Sequence, residues 1–128
     1  MLIRTFNDSD IRLKENITPI DSALYKIGQI EGVSFNWRDS DKYDDRTHLG
    51  VIAQQVEGVF PEVVFTSDDE MGTKSVDYNG LIAPLIEAVK ELKGQSENLQ
   101  AQNLTLENQN KALLELVCQD HPNAGICQ

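Results

Sequence analysis

From Gly80 onward, residues that are mostly apolar recur with the alternating three- and four-residue spacing of a heptad repeat. We call this set the heptad stripe; its members are Ile82, Leu85, Val89, Leu92, Ser96, Leu99, Asn103, Leu106, Asn110, Leu113 and Val117. The pattern predicts a helix over residues 80–118, in which the stripe itself runs for about 35 residues, or about 50 Å. Such a helix is too long for so small a head to cover, so we expect the heptad stripe to face copies of itself.

The spacing alone leaves two questions open. Polar residues such as Asn103 and Asn110 at stripe positions lower stability but fix the register and the number of strands. Leucine and asparagine occur in dimers and trimers alike, so the pattern does not decide between them. The alternative to self-association is a helix that packs along its own domain.

Composition limits the class of protein. The chain has 128 residues, enough for one domain, and a net charge of -10. We expect no nucleic-acid partner, since a basic patch is the usual mark of one. There is no apolar run of 18 residues, so no membrane span is expected. The first residues do not resemble a signal peptide, and the chain is expected to stay in the compartment that makes it.

Residues 16–79 alternate between helical and extended patterns, which predicts an α+β head before the long helix. Thr18 and Pro19 predict a helix start. Val33, Phe35 and Trp37 alternate with polar residues, which predicts a strand. Further along, we expect a charged loop (39–46), a helix (51–59), a strand (63–65), an acidic turn (66–72) and a second strand (73–78). The predicted organisation is residues 1–8 as the end of an upstream segment, 9–79 as the head, 80–118 as the coiled-coil helix and 119–128 as a tail.

Familiar catalytic and metal motifs are missing from the sequence. No glycine-rich phosphate loop, HExxH or CxxC occurs. The two histidines, His48 and His121, lie far apart, and we interpret His48 as structural or solvated. We therefore expect no metal and no cofactor. Cys118 and Cys127 are expected to be thiols in a reducing compartment; the alternative is a disulfide that closes the tail.

One segment holds a hydroxyl and an amine close together in sequence. Ser9 and Lys14 suit a serine nucleophile with a lysine base, a pair that needs the lysine desolvated or placed near a cation. Arg12 is a candidate for that cation. The spacing is common by chance, however, and a capped, solvated loop is the competing interpretation of these residues.

The surrounding residues resemble a known family. Residues 9–17, SDIRLKENI, resemble the opening motif S-D-x-R-L-K-x-x-I of the peptidase S74 family, also called intramolecular chaperone auto-processing domains. Further stretches resemble that family in the same order along the chain: VSFNW (33–37), HLGVIAQQV (48–56), FPEVV (60–64) and YNGLIAPLIEAVKEL (78–92). Their order makes the resemblance far more specific than any single motif.

The resemblance implies a function and roles for residues. Such domains trimerise at the C-terminus of phage tail fibres, tailspikes and endosialidases, hold the upstream chains in register and then cut themselves off. Ser9 matches the family's nucleophile, Lys14 its general base and Arg12 its arginine. The expected partners are two further copies and the upstream fibre of the same chain. The expected location is the host cytoplasm during assembly, with the domain absent from the mature virion.

The scissile bond remains open between two positions. A serine hydroxyl reaches the preceding carbonyl through a five-membered ring, which favours Asp8–Ser9. The family resemblance implies Ser9–Asp10, which we take as the prediction. Two other classes of function compete: a non-catalytic trimerisation or adaptor module, and a coiled-coil assembly protein unrelated to phage.

Overall fold

A computed structural model describes residues 7–128 of the chain. The helices are α1 (Ala23–Ile27), α2 (Ala53–Glu57) and α3 (Ile82–Asp120). The strands are β1 (Gly32–Phe35), β2 (His48–Val51), β3 (Val64–Thr66) and β4 (Lys74–Val76). Short 3-10 turns lie at Ile11–Leu13, Pro61–Val63, Tyr78–Leu81 and Gly125–Cys127. The predicted α+β class, a small mixed head followed by a long C-terminal helix, is confirmed.

Two separate antiparallel hairpins form the extended part of the head. β1 pairs with β2, with Val33 opposite Gly50, and β3 pairs with β4, with Val64 opposite Val76. In β1 the side chains of Val33 and Phe35 are half-buried while the residues between them are exposed, as the alternating pattern predicted. The hairpin predicted around the acidic turn is present, with Gly72 at a positive φ of 59° in that turn. Its second strand ends at Val76, however, and Tyr78 lies in the following 3-10 turn rather than in the strand predicted over 73–78.

The core of the head lies where α2 and the residues just after it meet the turn that leads into the long helix. Val56, Phe60 and Leu81 are buried there. Half-buried aliphatic side chains surround these three: Ile20, Ile27, Ile30, Val51, Val59, Val63, Val64 and Val76. Burial of these side chains supplies the main favourable free energy of folding. The core therefore fixes the head to the first turns of α3.

The head covers only one side of α3. Leu81, Pro84 and Ala88 are buried against it, and Ala23 of α1 is fully buried in the same region. The heptad stripe points elsewhere: Val89 is 63% exposed and Leu113 is 60% exposed. At 39 residues the helix is about 58 Å long. In the single chain the heptad stripe does not pack along its own domain, so that alternative is wrong.

Three predictions about local structure need correction. Thr18 and Pro19 do not begin a helix, because α1 starts at Ala23 after Ser22, which has a positive φ of 53°. Val51 ends strand β2, so the helix predicted over residues 51–59 is limited to α2. Trp37 lies beyond the end of β1. Strand β2 was not predicted because residues 48–51 form a strand by pairing with β1, a contact that short-range patterns do not reveal.

The cysteine expectation also needs correction. Cys118 and Cys127 form a disulfide, with their Cα atoms 5.6 Å apart. The alternative, a bond that closes the tail, is what the structure contains. The helix ends at Asp120 and the chain then turns back, which brings the second sulfur to the first. Within residues 7–128, no helix is long and apolar enough to cross a membrane.

Candidate functional site

The site begins with a tight turn near the start of the described chain. Asp10 precedes the 3-10 turn Ile11–Leu13, and its Oδ1 accepts a hydrogen bond from the Arg12 N–H at 2.9 Å. The backbone N–H of Leu13 donates to the Asp10 carbonyl at 3.0 Å. A short acidic side chain is well suited to satisfy such free N–H groups. The turn reverses the chain so that Lys14 comes back towards Ser9.

Ser9 and Lys14 meet across this turn. Lys14 Nζ donates a hydrogen bond to Ser9 Oγ over 2.8 Å, within the range expected of a nucleophile and its base. To act as a base, the amine must lose its proton and accept the serine proton instead. The structure therefore brings the two predicted catalytic groups within hydrogen-bonding distance of each other.

Asp10 and Arg12 form a bidentate ion pair beside the dyad. Arg12 Nε lies 3.0 Å from Asp10 Oδ1, and Nη2 lies 2.7 Å from Oδ2. The pKa of the Asp10 carboxyl is lowered mainly by its hydrogen bonds with the Arg12 guanidinium and, to a lesser extent, by the one with the Arg12 backbone N–H. The same ion pair raises the pKa of Arg12. Since Asp10 compensates the Arg12 charge, Arg12 is not an unpaired cation acting on Lys14. Its contacts instead stabilise the turn that carries Lys14.

The dyad segment is open to solvent in the single chain. All residues from 7 to 19 are exposed, including Ile11 at 72% and Leu13 at 71%. Apolar side chains of this size usually find cover. A lysine becomes a base when burial disfavours its charged form. The single chain thus positions the pair but does not desolvate it.

His48 lies in a contact network of its own. Its Nε2 is 2.7 Å from Asp44 Oδ1, and its ring stacks on Phe35 at 5.7 Å between centroids. Trp37 and Tyr43 stack at 4.2 Å in the same region. The His48 hydrogen bond lowers the pKa of Asp44 to about 2. These contacts fit the structural interpretation of His48, as a residue that anchors the 39–46 loop.

Sequence reasoning missed the contacts of two residues, one in the turn before α3 and one in α3 itself. The Tyr78 hydroxyl accepts a hydrogen bond from the Val51 N–H at 3.1 Å. The Glu91 carboxylate accepts from the N–H groups of Ala23 and Leu24 at 2.9 and 3.0 Å. Both residues lie in the stretch 78–92 that resembles the family, and this resemblance was the one sequence signal that pointed to them. Among the described residues, no cluster of three or more His, Cys, Asp or Glu could hold a metal ion.

Comparison with known proteins finds a family match over most of the head. Residues 9–65, from the candidate nucleophile to β3, match the peptidase S74 family model, described as the chaperone of endosialidase. Over residues 9–65 the chain therefore matches the peptidase S74 family. The resemblance stated from the sequence is confirmed.

Curated relatives of the chain come from phage. The chain is 37% identical over 99 residues to the long tail fiber protein Gp37 of Enterobacteria phage K3 and to that of Enterobacteria phage T2, in each case over 73% of this chain. A third relative is the long tail fiber protein Gp37 of Escherichia phage AR1, 30% identical over 87 residues and 65% of this chain. The chain spans only 7–8% of the length of these relatives.

Proposed function

We propose that this chain is the intramolecular chaperone of a phage fibre or spike. It trimerises through the heptad stripe and holds three upstream β-rich segments in register while they fold. The peptidase S74 match and the tail-fibre relatives support the chaperone role. The exposed stripe on a helix of 39 residues supports self-association. A β-topology rich in long-range contacts nucleates slowly, and joining three chain ends raises their effective concentration.

We further propose that the domain releases itself by cutting its own chain near Ser9. The observation that carries this step is the 2.8 Å hydrogen bond between Lys14 Nζ and Ser9 Oγ. Lys14 takes the serine proton, Oγ attacks a peptide carbonyl, and the proton passes to the leaving amine. Water then hydrolyses the resulting ester, so the net reaction is hydrolysis of one peptide bond per chain.

The bond we propose to be cut is Ser9–Asp10. Attack of Ser9 Oγ on its own carbonyl would form a strained four-membered ring. The hydroxyl must therefore come from a neighbouring copy, or the dyad must activate a water molecule. Attack on the Asp8 carbonyl, through a five-membered ring, is the alternative. The two bonds give products that differ by one serine residue at the new N-terminus.

We propose that assembly activates the dyad of Ser9 and Lys14. In the single chain Lys14 lies in water, flanked by the exposed side chains of Ile11 and Leu13. A neighbouring copy or the folded fibre that covers these side chains would also desolvate Lys14, favouring the neutral amine. Cleavage then follows correct assembly and removes the registering device, leaving the fibre kinetically trapped. We place this reaction in the host cytoplasm, with the released domain absent from the mature particle.

The test uses a longer chain that keeps its native upstream residues. On a denaturing gel the wild type should show a drop in size. Ser9→Ala and Lys14→Ala should stay uncut while remaining trimers by light scattering. Ser40→Ala and Lys93→Ala, at exposed positions away from the dyad, are the matched controls and should cut normally. A Ser9→Ala chain that is still cut would refute the proposed nucleophile.

Intact mass of the released domain identifies the bond. A product beginning at Asp10 supports Ser9–Asp10, and one beginning at Ser9 supports Asp8–Ser9. The measurement also works on the 128-residue chain, where the change is too small for a gel.

A non-catalytic trimerisation or adaptor module is the second candidate. The exposure of Lys14 in the single chain favours it, because nothing in residues 7–128 desolvates the amine. In that case the wild-type chain with its upstream residues would trimerise and stay uncut under all conditions.

A further inference from the structure

The last eight residues fold back onto the end of α3. The disulfide joins Cys118, in the final turns of the helix, to Cys127. Between them the Ala124 N–H donates to the His121 carbonyl at 3.0 Å, and the Cys127 N–H donates to the Ala124 carbonyl at 2.9 Å. The second bond closes the 3-10 turn Gly125–Cys127, whose central residue is Ile126. The tail therefore holds one apolar side chain in a defined place beside the helix.

Ile126 helps to line an apolar hollow at the end of the heptad stripe. The hollow is formed by Asn110, Lys111, Leu113, Leu114, Val117 and Ile126. Four of these, at positions 110, 113, 114 and 117, have the spacing i, i+3, i+4 and i+7 on the helix. In a coiled coil, four residues spaced in this way form the hole that receives a side chain from the facing helix. Ile126 adds a wall that the helix itself does not supply.

We propose that residues 119–128 are a disulfide-held extension of the self-association surface, and that their hollow receives Leu113 of a second copy. This inference rests on the trimer of the proposed function but not on cleavage. A second copy is the occupant because Leu113 and Val117 belong to the heptad stripe, so the hollow is continuous with it. Ile126 still exposes 71% of its surface in the single chain, and a neighbouring helix would cover it.

The disulfide gives this surface a dependence on redox state. Without the bond, the tail must be ordered from many conformations each time copies associate, and that loss of entropy opposes association. In a reducing compartment such as the host cytoplasm, where we place cleavage, the two cysteines are thiols. There the copies associate through the heptad stripe alone, and the tail adds to association only where the disulfide forms. Reduction should therefore weaken the assembly without altering the heptad stripe.

Sedimentation over a dilution series of the oxidised 128-residue chain tests the proposal. Cys118→Ser/Cys127→Ser and Ile126→Ser should each raise the concentration at which half of the assembly dissociates by about tenfold or more. Because the dissociation constant of a trimer scales with the square of that concentration, this is equivalent to about 2.8 kcal/mol per trimer. Dithiothreitol should have the same effect on the wild type and none on the double serine variant. Leu104→Ser, an exposed leucine of the same helix off the heptad stripe, is the matched control and should dissociate like the wild type.

The outcomes separate this inference from the function it rests on. Ile126→Ser keeps the disulfide, and circular dichroism at 222 nm checks that the helix is intact in every variant. A wild-type trimer whose tail variants dissociate at the wild-type concentration would overturn the role of the tail alone. A wild type that is monomeric throughout would overturn the trimer and the tail together.

Discussion

The Glu91 carboxylate accepts a hydrogen bond at 2.9 Å from the backbone N–H of Ala23, although the two residues are 68 positions apart in the sequence. Its other oxygen accepts the N–H of Leu24. Ser22, at the usual capping position of α1, makes no side-chain capping bond. Glu91 therefore caps α1 from the long helix, and through it the head is attached to the element that we propose trimerises.

Replacing Glu91 tests this attachment. Glu91→Ala leaves two N–H groups at the start of α1 without their acceptor, and we expect the free energy of unfolding of the head to fall by about 2 kcal/mol. Glu91→Gln keeps one acceptor and should cost less. Urea titration followed by the fluorescence of Trp37, the single tryptophan of the chain, measures the loss. Glu97→Ala, which removes an exposed ion pair of the same helix, should change stability by no more than about 0.5 kcal/mol.

Two glycines make a matched pair for a test of packing. A Cβ on Gly80 would lie 2.5 Å from Val63 Cγ1 and 3.2 Å from Asp77 Oδ2, whereas one on Gly94 would meet nothing within 4 Å. Gly80→Ala should therefore destabilise the head by about 1–3 kcal/mol through overpacking. Gly94→Ala should instead stabilise the helix by about 1 kcal/mol. Thermal unfolding of both variants checks the opposite signs; equal shifts would show that Gly80 is not closely packed.

Lowering the pH should remove the stability that the contact between Asp44 and His48 contributes. The pKa of Asp44 is about 2 in the folded chain, below its usual value of 3.8, mainly because of the hydrogen bond with His48. A carboxyl whose pKa is lowered by folding stabilises the folded state above its unfolded pKa, and this contribution is lost as the pH falls through its folded pKa. The loss should therefore occur between about pH 4 and pH 2.

Asp44→Asn isolates this contribution from that of the other carboxyls. The melting temperature of the wild type should fall more steeply than that of the variant between these pH values. Parallel curves for the two proteins would contradict the assignment of the pKa shift to this contact.

The heptad stripe and the strand β1 could be predicted from sequence because both follow from local spacing. The Leu–Asn repeat sets which side of α3 is apolar, and the alternation around Phe35 sets the strand. β2 could not be found in this way, since residues 48–51 become a strand only by pairing with β1. The start of α1 was missed for a similar reason: its cap comes from Glu91, which lies on another element.

The candidate site, too, could be predicted only in part from the sequence. Ser9 and Lys14 are too common a pair for their spacing to be informative, and the ordered family motifs identified them. The Asp10–Arg12 ion pair that shapes the turn between them became visible only in the structure. The role that we propose for Ile126 depends on the disulfide, which the expected reducing environment argued against.

A matched pair of leucines tests the heptad stripe. Leu99 lies on the stripe and Leu104 lies off it, and both are exposed on the same helix in the single chain. Leu99→Asp places a charge where copies meet and should yield monomers, because burying an unpaired charge is costly. Leu104→Asp should leave the assembly intact. Light scattering at equal concentration distinguishes the two, and identical masses would show that the stripe does not mediate assembly.

Sedimentation equilibrium of the wild-type chain tests most directly whether the exposed stripe joins identical copies. A single chain has a mass of 14.3 kDa. We expect one species of three times that mass, unchanged over a wide range of concentration. A well-folded species with the mass of one chain, persisting at high concentration, would contradict both the trimeric chaperone and the assembly-dependent activation of Ser9 and Lys14.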